Sequence, residues 1–202
     1  MSKKTDLRII RTKKSIKKAF LDLLKEKNYN KITIQDIAEE AMINRNTFYL
    51  HYLDKDDLLD QLSNECLNKL KESMNASSNI NTIDELGYDD FYEINKKVFK
   101  AIEEDFDFYK VIMGDDSIPY LSIKFTNVIK NHMSEGLDKS AKLKTGEKNV
   151  DNSEIYVEYM AAGLIGVIRF WINNRHKYSI EEVSKIVINM YSKDILELLK
   201  NC

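Results

Sequence analysis

A chain of 202 residues can hold one large helical domain or a small head on a larger body, and either buries a workable core. A single proline, Pro119, and six glycines are too few turn formers for a β-sandwich or barrel, so the composition points to an all-α fold. The net charge of −2 conceals an asymmetry: residues 1–55 carry 13 Lys and Arg against 7 Asp and Glu, while residues 56–202 carry 18 against 26, so that a basic head, suited to a polyanion or merely to solvent, precedes an acidic body.

From Ile9 onward Ile16, Phe20 and Leu23 recur at helical spacing, and Lys13, Lys14, Lys17 and Lys18 fall outside that stripe, facing water or phosphate. This helix is expected to end near Lys27, with Asn28 as a left-handed residue just past its C-terminus. Thr33 is a suitable N-cap for a short helix over 34–41, with Asp36 as the capping-box acid and Ile32 stapled against Ile37. Asn44 repeats the device, with Ile43 against Phe48, and two short capped helices joined through Met42 and Ile43 make a helix-turn-helix. Asp54 caps a longer helix over 55–74, which leads out of the head; residues 75–81 read as a loop. Helical patterns follow at 89–104, 106–113, 119–138, 154–174 and 180–200, with a polar stretch, Ser140 to Asn152, as a connection. The expected architecture is a three-helix DNA-binding head over 1–55, a connecting helix over 55–74, and a helical body over 75–202.

The second helix of a DNA-reading helix-turn-helix enters the major groove N-terminus first. Arg45 can donate two bonds to guanine, Asn46 can pair with adenine, and the Thr47 methyl can touch that of thymine. Tyr49 and His51 are placed to reach phosphates. Lys55 opposes the dipole of the helix it begins, which a docked phosphate would explain and which Asp56 and Asp57 would also offset.

The stretch from Arg11 to Leu59 resembles the N-terminal domain of the TetR family of bacterial regulators. The residues that carry the resemblance are Ile32-Thr33-Ile34-Gln35-Asp36-Ile37-Ala38, then Ile43-Asn44-Arg45-Asn46-Thr47-Phe48-Tyr49-Leu50-His51-Tyr52, then Asp54-Lys55-Asp56-Asp57-Leu58-Leu59. The resemblance implies that Thr33, Tyr49, His51 and Lys55 hold phosphates and that Asn44, Arg45, Asn46 and Thr47 face bases. The family often has glycine where this chain has Asn28, Met42 and Asn46. The segments at 108–112 and 161–172 look like the C-terminal domain of a TetR subclass, in which the last two helices of each subunit form a four-helix dimer interface and the middle helices enclose a ligand.

For the interface the small residues Gly163 and Gly166, with Trp171, Val183, Val187 and Met190, are the candidates. Phe91, Phe99, Tyr109, Tyr120 and Tyr159 are the candidate effector contacts, although aromatics at helical spacing serve equally as core. No nucleophile has a His at motif spacing, and Cys66, Cys202, His132 and His176 lack partners at metal-ligand spacing, so neither catalysis, a metal nor a cofactor is expected. The N-terminal stretch is charged, and the most apolar run, 159–168, stops at Arg169, so neither secretion nor a membrane span is expected. The reading is a cytoplasmic homodimeric transcriptional regulator, a repressor released by a small molecule, on near-palindromic double-stranded operator DNA. The alternatives are an activator of the same fold and a helical protein-interaction module without operator binding.

Overall fold

The computed structural model describes residues 3–75, 88–114, 118–145 and 153–201. Among them the chain forms nine α-helices and no strand: α1 Lys3–Glu26, α2 Ile34–Glu40, α3 Arg45–Tyr49, α4 Lys55–Asn75, α5 Tyr88–Glu104, α6 Phe106–Met113, α7 Pro119–Thr145, α8 Ser153–Asn173 and α9 Ile180–Asn201. The third helix of the body runs on past residue 138 through a stretch rich in good helix formers, so Ser140 to Thr145 are helical. The rest of the expected connection, 146–152, and most of the loop expected after Asn75 lie outside the described residues.

In the head, Ile16, Phe20 and Leu23 of α1 bury the stripe that their spacing defines, against Ile37 of α2, Phe48 of α3 and Leu58 of α4. Each fully buried side chain of this size contributes about 1.5–3 kcal/mol, so a head with so few helices depends on all of them. The linker from α1 to α2 differs from expectation. Asn28 has φ −57° and ψ 139°, and its side chain accepts a bond from the Asn30 amide at 3.1 Å, capping a one-turn 3₁₀ helix over Tyr29–Lys31. The left-handed residue is instead Met42, φ 54°, in the turn between α2 and α3.

The core is continuous from head to body because α4 belongs to both: Leu58 and Leu62 join the head cluster, and Cys66, Leu67, Leu70 and Met74 continue it beneath α5, α6 and α7. α6 and its N-cap are tied into this junction by three contacts with two helices. Asp107 pairs with Lys25 of α1 at 3.0 Å, Asp105 pairs with Lys69 of α4 at 2.8 Å, and the buried Tyr109 hydroxyl donates to the Cys66 carbonyl at 3.1 Å.

α8 packs on α6, α7 and α9, and α9 on α5. Three residues expected at a subunit interface are used inside the subunit instead. Trp171 is buried edge-on against Phe99 at 5.2 Å and donates its indole N–H to the Tyr178 carbonyl at 3.1 Å, while Val183 and Val187 are buried in the same core. An apolar helix face identifies a face to be covered; its spacing is the same whether the cover comes from this chain or another. Gly163, Gly166 and Met190 are exposed, and with Ile155, Tyr159, Phe170 and Ile186 they leave an apolar surface on α8 and α9. Residues Glu154–Asn173 are long and apolar enough to cross a membrane, although Val157, Ala161, Leu164, Ile168 and Trp171 along this helix are buried in the bundle.

Candidate nucleic-acid interface

The reading unit is built from two caps and a turn. Thr33 Oγ1 accepts the Asp36 amide at 3.1 Å and the Asp36 carboxylate accepts the Thr33 amide at 2.8 Å, so two of the orphan donors at the start of α2 are satisfied. The Thr33 side-chain and backbone bonds, with Lys27 beside them, hold the Asp36 carboxyl down at about 2. After α2, Met42 reverses the chain and the Ile43 amide bonds back to the Ala38 carbonyl at 2.9 Å. Asn44 then accepts from the Thr47 amide at 2.7 Å and from the Thr47 hydroxyl at 2.9 Å, which starts α3 and uses the hydroxyl of Thr47 in its cap. Phe48 anchors α3 in the core.

With Phe48 inward, a period of 3.6 turns Asn46 and Leu50 directly outward and sets Arg45 and Tyr49 beside them. Asn44, Arg45, Asn46 and Tyr49 are all exposed, Thr33 is exposed, and Thr47, His51 and Lys55 are half-buried. Arg45 does not swing alone: its guanidinium donates to the Tyr49 hydroxyl at 2.9 and 3.3 Å and lies 5.5 Å from the ring. Base reader and phosphate candidate are therefore pre-oriented as a pair. Lys55 is held more firmly, since its ammonium donates to the Tyr29 and Ile32 carbonyls, each at 2.9 Å, and sits 4.3 Å from the Tyr29 ring, whose hydroxyl bonds to Asp56. Two of its three donors are engaged by the α1–α2 linker, leaving one for a phosphate. Burial, aided by the nearby Lys13, lowers the pKa of His51, which favours the neutral imidazole.

Sequence reasoning left one residue of this surface between water and phosphate and missed another. Lys13 of α1 reaches the Tyr52 ring at 5.6 Å, beside His51, a juxtaposition that no local spacing encodes. Leu50 is 80% exposed on the outward face of α3, and extending the helical period by one residue from Asn46 would have found it.

The aromatic candidates for effector contact do not share one wall. Phe99 and Tyr109 are buried in core packing, with Tyr109 5.7 Å from the Phe125 ring; Phe91 is half-buried on α5; Tyr120 is exposed and bonds Asp60; and Tyr159 is exposed on α8.

The described geometry agrees with two family models. Residues 16–62 match the model of bacterial regulatory proteins of the tetR family, and residues 89–193, just over half of the chain, match a transcriptional regulator C-terminal region of TetR type. The chain belongs to the TetR family. Among curated relatives, the HTH-type transcriptional regulator YxbF of Bacillus subtilis is 39% identical over 80 residues, 39% of this chain and 21% of the relative. The dhaKLM operon transcriptional activator DhaS of Lactococcus lactis is 42% identical over 48 residues, 24% of this chain and 26% of the relative. The matches thus span about a fifth and a quarter of these relatives' lengths. A TetR-family regulator from Syntrophomonas wolfei has the same fold, with a TM-score of 0.69 at 19% identity over 90% of this chain and 93% of that one.

Proposed function

We propose that this TetR-family chain is a cytoplasmic repressor that binds a near-palindromic operator as a homodimer and is released by a small molecule bound in its body. The observation that carries the reading is the exposed row of Asn44, Arg45 and Asn46 at the start of a helix capped by Asn44 and anchored by Phe48, a surface with hydrogen-bonding capacity for base edges and no use in the subunit's own core. Thr33, Tyr49, His51 and the remaining donor of Lys55 serve phosphates. The head ends at about residue 55, α4 links it to the body, and the body gathers effector and partner. The three bonds of α6 to α1 and α4 give a ligand in the body a route to the head's position. The naming of DhaS as an activator supports a second reading, in which the same head recruits rather than blocks transcription.

Pull-down of genomic fragments at moderate salt, followed by sequencing, tests this. Recovery of a shared inverted repeat, with affinity falling steeply with salt, is expected. Recovery of random fragments would remove sequence reading, and absence of salt-dependent binding would leave a protein-interaction module.

A further inference from the structure

The first turns of α1 run beyond the core of the head. Among its described side chains the first buried one is Ile16, and Leu7, Arg8, Ile9, Ile10 and Arg11 are all exposed. Three contacts fix which way these turns point. Near the C-terminal end of α1, Lys25 pairs with Asp107 of the body at 3.0 Å; at its middle, Ser15 Oγ donates to the Ala41 carbonyl at 3.0 Å, where α2 gives way to the turn into α3, and Lys13 lies over Tyr52. The N-terminal turns therefore continue past the α2–α3 turn, away from the body. Arg11 and Arg8 precede Ser15 by four and seven residues on the same side of the helix, so their backbone lies about 6 and 10 Å further along.

The charges on α1 divide in the same way. Lys17, Lys25 and Lys27 pair with Glu65, Asp107 and Asp36, on the side of the helix or linker that meets the rest of the chain. Arg8, Arg11, Lys14 and Lys18 pair with no described carboxylate; Arg8, Arg11 and Lys18 are separated by three and seven residues and form a cationic row. We propose that Arg8 and Arg11 hold phosphates of the duplex flanking the half-site read by α3, extending the operator contact beyond the bases under that helix. The inference rests on the operator-binding reading above. Charge complementarity selects DNA as the occupant, and the position beside the turn into α3 places it where the same duplex continues. The exposed Leu7 and Ile10 are what an anionic membrane would use, which the test separates.

The experiment compares wild type with the double variant Arg8→Gln/Arg11→Gln on a fragment enriched from genomic DNA by the wild type, carried on a long duplex and on one trimmed to the half-sites. Because none of the described side chains from Leu7 to Ser15 is buried, the variant should keep the wild-type melting temperature. On the long duplex the slope of log K against log salt should become shallower by about 0.9 for each phosphate freed, or about 3.6 for four contacts in a dimer. Discrimination between operator and scrambled sequence should be unchanged, and on the trimmed duplex the two proteins should converge. Unchanged affinity and slope on the long duplex overturn the inference while leaving operator reading intact. So does a variant that loses sequence discrimination, or a wild type that binds phosphatidylglycerol vesicles through Arg8 and Arg11 with no change in DNA slope. A wild type that enriches no DNA overturns both readings.

Discussion

Met42 holds φ at 54° with its side chain 93% exposed, so nothing in the subunit compensates for a left-handed backbone at a non-glycine residue. That conformation costs an L-residue roughly 1–2 kcal/mol, and glycine returns part of the gain as unfolded-state entropy. Met42→Gly should therefore stabilise the chain by about 1 kcal/mol, read as a higher urea midpoint at unchanged m-value. A neutral or lower midpoint would mean that the turn is not left-handed. Lys55 poses the opposite question, because its ammonium serves the α1–α2 linker and retains one donor for DNA. Lys55→Met should lower stability by about 1–2 kcal/mol through the two lost charge-assisted bonds. If the third donor meets a phosphate, the salt slope of operator binding should also fall by about 0.9 per subunit. Lost stability with an unchanged slope would assign Lys55 wholly to the linker.

At the scale of elements, the start of α2 shows how a cap couples to acid. Thr33 and Lys27 hold the Asp36 carboxyl at about 2, below its ordinary 3.8. A carboxyl lowered on folding stabilises the fold above its unfolded value, and that contribution is lost as pH falls from about 4 through 2. Thr33→Ala should cost about 1 kcal/mol near neutral pH and weaken the dependence of melting temperature on pH in that acid window. An identical acid profile in the variant would show that Thr33 does not set the Asp36 carboxyl. This cap was legible from Thr33 and Asp36 three residues apart, as were Asn44 before α3 and the stripe of Ile16, Phe20 and Leu23, because caps and periods are local. What the sequence could not carry was tertiary. A local exception is Asn28, a residue type that accepts left-handed backbone but here caps a one-turn 3₁₀ helix, the left-handed residue being Met42 in the separate turn between α2 and α3. The carbonyls that meet Lys55 come from more than 20 residues away. Trp171, Val183 and Val187 showed only that a face is covered, and the cover is α5 and the rest of their own subunit.

For the whole molecule, the decisive surface is the one that α8 and α9 leave open. Ile155, Tyr159 and Phe170 are between 52% and 69% exposed on α8, and Ile186 and Met190 are 41% and 60% exposed on α9, with Gly163 and Gly166 among them. A row of large apolar side chains around small residues suits close approach of a second helix pair, which would close a four-helix bundle and relate two reading heads by one two-fold axis. Gly166 separates this idea from a folding role, because a Cβ added there meets nothing within 4 Å in the subunit. A glycine inside a helix costs about 1 kcal/mol relative to alanine, so with no close neighbour in its own chain its compensation must come from outside. Gly166→Leu should thus leave the isolated subunit folded, with undiminished helical circular dichroism, while its larger side chain holds the partner helix away. Sedimentation should show wild-type dimer and variant monomer, and the variant should lose operator affinity while keeping weak, salt-dependent binding to any duplex through its single head. A folded variant that still sediments as a dimer would sink the assignment of this face, since a branched side chain at a close-packed seam cannot be absorbed without parting the helices.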